Sequence, residues 1–331
     1  MKKIRIFIPV APFEPLSIIK KSVISQRDLI ISNLDVKLTY IVDCPDGPDE
    51  RIQYLKNENI DNICRLDTRG RRAGAINDGL QNISKPDGTL DADYIALFDV
   101  DSRPDPDFLL QCINAINRDH DAVIASGVRY IINKDSGWVA GTIAAEYTFF
   151  EDVYRLSEKY DGFKQFNGLI GVIKAHAFDD MQLNEQVYCE DLDFTQKIYI
   201  SGKKPVLAET KVGEQAPTTI KELYNQRVRW MSGSLEGLAL NIIPFLRAQI
   251  PITQRIAWFI SMTLPFVAFI IMPFVLMYSL RLWTKGHDHV IIKTSGLLFH
   301  VWLITLCGAV AIKNRLFNKK TIWTESKRTD I

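Results

Sequence analysis

Two carboxylates spaced two residues apart follow a short apolar segment. Residues 94–98 are almost wholly apolar and predict a strand buried on both faces, and Asp99 and Asp101 come directly after it. Because alternate residues of an extended segment point the same way, these two carboxylates can bind one hard cation together. Ligands of open α/β sheets also bind at the carboxyl ends of strands. We therefore predict a ligand site with a divalent cation at Asp99 and Asp101.

Three further polar positions could act on the nucleotide side of such a site. Asp43 and Asp46 end a second predicted strand in a Pro/Gly turn, where they either contact a nucleotide base or only stabilise the turn. Arg72 closes the basic cluster 69–72, ahead of the small residues 73–75. A guanidinium beside a helix N-terminus suits a diphosphate, and the alternative is a solvated basic loop.

Two further motifs with polar side chains occur later in the chain, one acidic and one that combines polar and aromatic residues. Glu190 and Asp191 open a predicted helix, where they either favour the helix dipole or take part in catalysis. Gln226, Arg229 and Trp230 combine an amide, a guanidinium and an indole within five residues. Arginine binds phosphate oxygens and tryptophan offers a flat face to a sugar ring, whereas the alternative is an aromatic and basic anchor at a membrane surface.

The elements that must position these residues alternate between strand and helix. Strands are predicted at 4–10, 37–42, 94–98 and 123–132, with helical periodicity between them. This order predicts an α/β fold with a layered domain over residues 1–235 and a mostly parallel central sheet.

Composition excludes several classes of protein. The chain has 40 basic and 39 acidic residues, so no strong positive field indicates nucleic acid as a partner. Five widely spaced cysteines without a C-x-x-C pair argue against a disulfide framework or a zinc cluster and favour a reducing compartment.

The last third of the chain differs from the rest. Residues 256–280 carry no charge and are long enough to cross a bilayer, and 294–312 form a second apolar run. We expect two transmembrane helices, preceded by an interfacial amphipathic segment at 236–255 and followed by a basic tail at 313–331. The excess of basic residues outside the two spans predicts that the large N-terminal domain lies in the cytoplasm. The first apolar run, 4–11, is too short for a cleaved signal peptide.

The order of these motifs resembles the family 2 inverting glycosyltransferases, in particular the membrane-bound branch with cellulose, chitin and hyaluronan synthases and glucosylceramide synthases. The resemblance covers residues 4 to about 240. It rests on six pieces in order: the first strand, the Asp43 turn, the segment 72–77, Asp99-Val100-Asp101, Glu190-Asp191, and Gln226-x-x-Arg229-Trp230.

On the donor side, the resemblance implies a GT-A type domain that binds a nucleotide sugar. Asp43, with Asp46 as its neighbour, would contact the nucleotide base. Arg72, at a position where lysine is common in the family, would meet the diphosphate. Asp99 and Asp101 would bind the pyrophosphate through Mg²⁺ or Mn²⁺.

On the acceptor side, the resemblance implies that Asp191 is the catalytic base, with Glu190 beside it. Gln226, Arg229 and Trp230 would shape the acceptor and diphosphate end of the site.

The function expected from sequence is therefore a membrane-anchored glycosyltransferase that moves a sugar from a nucleotide sugar, with UDP favoured, to a saccharide chain or a glycolipid. Three alternatives stay open: a polyprenyl-phosphate sugar transferase, a nucleotidyltransferase, and a non-catalytic membrane scaffold. The sugar, the acceptor, the number of transfers and the oligomeric state are not determined by the sequence.

Overall fold

The computed structural model describes residues 1–29, 34–179, 181–284 and 290–319, without the side chains of residues 282 and 292. The strands are β1 (Lys3–Val10), β2 (Asp35–Asp43), β3 (Asp61–Arg65), β4 (Tyr94–Leu97), β5 (Arg103–Pro104), β6 (Ala122–Ile131), β7 (Gly171–Lys174) and β8 (Lys204–Glu214). The helices are α1 (Leu16–Arg27), α2 (Glu50–Asn57), α3 (Arg71–Asn82), α4 (Phe108–Arg118), α5 (Trp138–Lys159), α6 (Glu190–Ile200), α7 (Ile220–Arg247), α8 (Ile252–Thr263), α9 (Met272–Thr284) and α10 (Val290–Leu316).

The chain divides into two compact units. The first consists of Met1–Val128 and Gln165–Gly213, and the second of Arg129–Lys164 and the chain from Glu214 onwards. The second unit thus takes a segment from the middle of the chain as well as its end. The predicted domain limit at residue 235 falls inside α7 and remains a prediction.

The sheet of the first unit has the strand order β3-β2-β1-β4-β7-β6-β8-β5. Strands β3, β2, β1 and β4 are parallel, whereas β7 is antiparallel to both β4 and β6, and β5 is antiparallel to β8. The predicted α/β class is confirmed, but the sheet is mixed rather than mostly parallel. The chain enters β7 after passing through the second unit rather than by a strand–helix–strand crossover, the connection that produces parallel neighbours.

Strand β4 lies at the centre of this sheet and has apolar cover on both faces. Tyr94 and Ala96 pack in one hydrophobic cluster, and Ile95 and Leu97 pack in another. Because side chains alternate across a strand, two apolar layers bury all four residues of β4. A strand fixed in this way holds the residues that follow it at a defined position on the edge of the sheet.

The second unit contains α5, α7, α8, α9 and α10, with α10 packed against α5 and α7. Two of its stretches are long and apolar enough to cross a membrane, Ile252–Arg281 and Lys293–Leu316. Only 17% of the most apolar part of the first is buried within the protein, against 44% in the second. Low burial favours contact with lipid over a place in a protein core.

The first candidate span extends beyond the predicted range 256–280, and it is not one continuous helix. It consists of α8, a 3₁₀ segment at Leu264–Ile271, and α9. Val267 has non-helical backbone angles, with φ −125° and ψ 30°. Pro265 and Pro273 lack the N–H that an uninterrupted helix needs, which accounts for the break. Residues 285–289 and most of the predicted basic tail lie outside the described residues.

Candidate functional site

Asp99 and Asp101 lie where the sequence predicts them, in the turn after β4. The hydroxyl of Ser102 accepts a hydrogen bond from the Asp99 backbone N–H at 3.0 Å, and the Ser102 backbone N–H donates to the Asp99 carbonyl at 2.9 Å. Gln26 of α1 donates to the Ser102 carbonyl at 3.3 Å. These bonds fix the turn, in which Asp101 is buried and the Asp99 carboxylate is partly exposed.

Arg72 joins the two acidic motifs of the first unit. Its Nε donates to Oδ1 of Asp99 at 2.7 Å, and its Nη1 donates to Oε1 of Glu190 at 3.3 Å. Burial lowers the pKa of Arg72, but the charges of Asp99 and Glu190 outweigh burial and raise that pKa above its ordinary value. The guanidinium is therefore a permanent cation between two carboxylates that are distant in sequence.

The backbone at the start of α3 is strained. Gly70 and the next residue, Arg71, have positive φ angles of 64° and 50°. A left-handed conformation costs little for glycine but is unfavourable for arginine, and such strain recurs at ligand sites. Local packing requires a glycine at position 74, because a Cβ there would overlap the carbonyl oxygen of Arg69. The structure thus explains Gly74 by close backbone packing rather than by close approach of a ligand.

Glu190 and Asp191 occupy the first turn of α6, where the helix dipole favours their negative charge. The Asp191 carboxylate accepts hydrogen bonds from two backbone N–H groups, that of Gly168 at 2.6 Å and that of Leu192 at 2.8 Å. These bonds use two of its four lone-pair sites, so the carboxylate is oriented and can still accept a proton.

Gly168 presents its N–H to Asp191 from a strained turn. Its φ is 59°, and the following residue, Leu169, also has a positive φ of 49° although it is buried. The turn is linked to α6 through Thr195, whose hydroxyl accepts from the Phe166 N–H at 3.1 Å and donates to the Asp191 carbonyl at 2.7 Å. The loop and the helix therefore fix Asp191 jointly.

Asp43 is buried at the end of β2 and forms an ion pair with a residue that sequence reasoning missed. Nη1 of Arg65 lies 2.5 Å from Oδ1 of Asp43, and the two residues are register partners on β3 and β2. Burial raises the pKa of Asp43 to about 6, although the Arg65 cation opposes that shift. By contrast, Asp46 is exposed in the turn beyond β2.

A second group of missed residues ties α3 to the segment that leads into α6. Glu185 forms an ion pair with Arg69 and accepts from Nδ2 of Asn77 at 3.0 Å. Asn77 also exchanges hydrogen bonds with the backbone of Leu183, each 3.0 Å long. Glu185 packs so closely over Gly70 that a Cβ there would lie 2.6 Å from its side chain. These contacts brace the approach to Glu190 and Asp191.

The described residues include no group of three or more His, Cys, Asp or Glu side chains that could hold a metal ion. Two carboxylates at one strand end nevertheless fit Mg²⁺ or Mn²⁺, since such ions use one or two carboxylates and complete their shell with substrate phosphates and water. Nη2 of Arg72 is a buried donor without a hydrogen-bond partner, as expected where an anion is to bind. The residues at this sheet edge therefore fit a metal-bound diphosphate.

Gln226, Arg229 and Trp230 belong to the second unit, on α7. This helix begins with a capping box, in which the Thr219 hydroxyl accepts from the Glu222 backbone N–H and the Glu222 carboxylate accepts from the Thr219 backbone N–H. All three side chains of the motif are half-buried. Their predicted role on the acceptor side remains a prediction.

Two curated relatives of this chain are plant glucomannan 4-beta-mannosyltransferases by name. Glucomannan 4-beta-mannosyltransferase 1 from Oryza sativa subsp. japonica is 28% identical over 182 residues, which cover 54% of this chain and 34% of the relative. Glucomannan 4-beta-mannosyltransferase 7 from Arabidopsis thaliana is 26% identical over 181 residues, with coverages of 53% and 31%. The chain spans about a third of the length of these relatives.

Among solved structures, the mannosyltransferase from Pyrobaculum calidifontis in complex with GDP-Man and Mn²⁺ has the same fold. The TM-score is 0.68 at 14% identity, over 96% of this chain and 88% of the other. The model of the family described as glycosyl transferase family group 2 matches residues 94–312, which is more than half of the chain and begins at β4. By this match, the chain is a member of the family 2 glycosyltransferases.

Proposed function

We propose that this protein transfers a sugar from a nucleoside diphosphate sugar to an acceptor hydroxyl by a single displacement with inversion. The observation that carries the proposal is the pair of bonds from Arg72 to Asp99 and to Glu190. A nucleotide-side carboxylate and the first-turn acids of α6 thereby meet at one cation. A displacement needs this arrangement, because charge must be neutralised where the diphosphate departs and a base must act where the hydroxyl attacks.

Asp191 is the base in this proposal. Its two backbone hydrogen bonds hold the carboxylate in one orientation, and its remaining lone pairs can take the proton of the acceptor hydroxyl. Glu190 is engaged by Arg72 and is therefore a positioning residue for the guanidinium rather than a second base.

Arg72 and the Asp99/Asp101 pair act on the departing diphosphate. The guanidinium offers hydrogen bonds and positive charge to phosphate oxygens, and its unpartnered Nη2 supports this role. Asp99 and Asp101 would hold Mg²⁺ or Mn²⁺, which supplies further neutralisation of negative charge on the leaving group. Asp43 would accept hydrogen bonds from the nucleotide base, and Asp46 is the less favoured of the two because it is exposed.

The donor that relatives indicate differs from the one favoured by sequence. The motifs favoured UDP, whereas the curated relatives are named mannosyltransferases and the solved neighbour holds GDP-Man. GDP-mannose is therefore the first donor to test, beside the UDP sugars. A saccharide chain or a glycolipid remains the proposed acceptor, with Gln226, Arg229 and Trp230 on the acceptor side.

The two apolar spans support a membrane protein, with the catalytic residues proposed to lie in the cytoplasm. The bilayer would then keep the enzyme near a membrane-bound acceptor.

The test is to incubate membranes containing the full chain with a panel of labelled GDP and UDP sugars, with Mn²⁺, Mg²⁺ or EDTA, and to measure the size of the product. Transfer of label to a polymer or to a lipid-sized product supports the proposal and identifies the acceptor class. Release of inorganic pyrophosphate would instead indicate a nucleotidyltransferase. No labelled product with any donor or acceptor would favour a scaffold.

A further inference from the structure

Arg227 lies inside the Gln226–Trp230 segment, and it is the most buried residue there. Its side chain is in the second unit, 1% exposed, and forms an ion pair with Glu146 of α5, which is itself only 8% exposed. A buried arginine requires a charged partner, so Glu146 fixes where this guanidinium lies.

The same guanidinium contacts two members of the predicted acceptor motif. It lies over the ring of Trp230, 4.1 Å from the centroid, and its Nη1 donates to Oε1 of Gln226 at 3.4 Å. Arg227 and Trp230 are three residues apart and share one face of α7. A planar cation stacked on an indole restricts the orientation of both groups. One buried residue therefore orients an amide and an aromatic face that sequence analysis places on the acceptor side.

Glu146 is also linked to the second candidate membrane span. His300 of α10 has its Nδ1 3.7 Å from Oε2 of Glu146, and its Nε2 lies 3.3 Å from the Thr142 hydroxyl, one turn before Glu146 on α5. His300 is only 5% exposed. Ionisable groups buried within membrane helices are costly and tend to serve a function.

We infer that Arg227 is a positioning residue for the acceptor-side motif, held in place by Glu146 of α5. The inference rests on the proposed function, since it takes Gln226 and Trp230 to act on the acceptor. It predicts that loss of the Arg227–Glu146 pair impairs sugar transfer to the acceptor and leaves the reaction of the donor with water intact.

The experiment compares three variants of the full chain in membranes. Arg227→Met leaves a buried carboxylate unpaired, so its stability falls. Arg227→Met/Glu146→Leu removes both charges, and apolar replacement of a buried ion pair commonly restores stability. Arg227→Lys keeps a charge for Glu146 but loses the planar group over Trp230. Each variant is measured for melting temperature, hydrolysis of the nucleotide sugar without acceptor, and kcat and KM for the acceptor.

A positioning role predicts that the double variant regains the melting temperature of the wild type while transfer stays about 100-fold down, since a small misplacement of a binding group can cost that much. Arg227→Lys should fold and hydrolyse donor normally, with a raised KM for the acceptor. Lys164→Met/Glu158→Leu, which replaces another ion pair of the second unit (2.9 Å), is the matched control and should transfer normally.

Wild-type transfer by the double variant would overturn the inference, because the pair would then serve stability alone. If the double variant fails to fold, normal acceptor kinetics in Arg227→Lys would overturn it equally. Absence of both hydrolysis and transfer in the wild type would instead refute the proposed function, so the two failures are distinguishable.

Discussion

Arg72 and Asp99 are 27 residues apart in sequence, yet the Nε of the arginine donates to the aspartate Oδ1 at 2.7 Å. The strained start of α3 brings the arginine to the edge of the sheet, and the buried strand β4 fixes the aspartate there. Because Glu190 shares the same guanidinium, both acidic motifs depend on this one side chain.

Replacement of Arg72 should therefore weaken donor binding. Arg72→Met removes charge-assisted hydrogen bonds, each worth about 1.5–3 kcal/mol, so the Kd for the nucleotide sugar should rise roughly ten- to hundredfold. The lysine of Arg72→Lys keeps the charge but cannot bridge two carboxylates with the same geometry. Its Kd for the nucleotide sugar should therefore lie between those of the wild type and Arg72→Met. Isothermal titration with donor measures the effect. Arg71→Lys, a change at the exposed neighbour, is the control, and an unchanged Kd in Arg72→Met would contradict the role.

Asp191→Asn should reduce sugar transfer by about 10²–10⁴-fold, the usual contribution of a positioned base. The amide keeps the shape of the side chain, so donor binding should persist. Measuring both turnover and donor affinity distinguishes loss of the base from loss of donor binding. Asp193→Asn alters an acid in the same first turn that forms an ion pair with Lys197 and should retain transfer. Near-normal turnover in Asp191→Asn would rule out this residue as the base.

The pH dependence of donor binding should report on Asp43. Burial raises the pKa of its carboxyl to about 6, so the group becomes protonated as the pH falls through 6. The protonated carboxyl is no longer an anionic acceptor for the hydrogen bonds of the nucleotide base. Donor affinity should then decrease by roughly tenfold per pH unit below 6. Titrations between pH 5 and 8 measure this slope. Asp43→Asn should bind donor more weakly at pH 7 and show a flatter profile, and an identical slope in both proteins would exclude Asp43 as its source.

Metal dependence should reside in Asp101. In the wild type, EDTA is expected to weaken donor binding and Mn²⁺ to restore it, because a divalent cation between carboxylates and phosphates adds to affinity. Asp101→Ala should bind donor weakly and to the same extent with either additive. Asp105→Ala serves as the control and should keep the response to Mn²⁺, because Asp105 and Asp107 form another carboxylate pair with the same spacing just after this site. A full Mn²⁺ response in Asp101→Ala would show that residues other than Asp101 bind the metal.

Much of the first unit was predictable because local patterns and tertiary packing agree. Strand β4 is apolar in sequence and is covered on both faces, so its position was predicted to within one residue. The role of Asp99 and Asp101 after it remains a prediction. The direction of β7 was not predictable. The strand has only four residues, it follows the segment Arg129–Lys164 of the second unit, and its sequence does not indicate which strand it pairs with.

Arg65 was missed for a different reason. A single arginine at the end of a strand matches no motif, and its importance follows from register, which pairs it with Asp43. Asp43 ends a predicted strand, but no strand was predicted at residues 61–65, so the sequence did not indicate the pairing that brings Arg65 to Asp43. The break in the first membrane span, by contrast, was signalled by Pro265 and Pro273, but hydrophobic length alone does not take account of proline.

The contacts of His300 have a practical consequence for producing this protein. Removing α10 to obtain a water-soluble fragment would delete a neighbour of the Arg227–Glu146 pair and uncover the apolar faces of α5 and α7. Such a truncation would therefore damage the remaining polypeptide, and detergent or nanodisc purification of the uncut chain is the safer route. Helix α10 is part of the folded second unit and not a detachable tether.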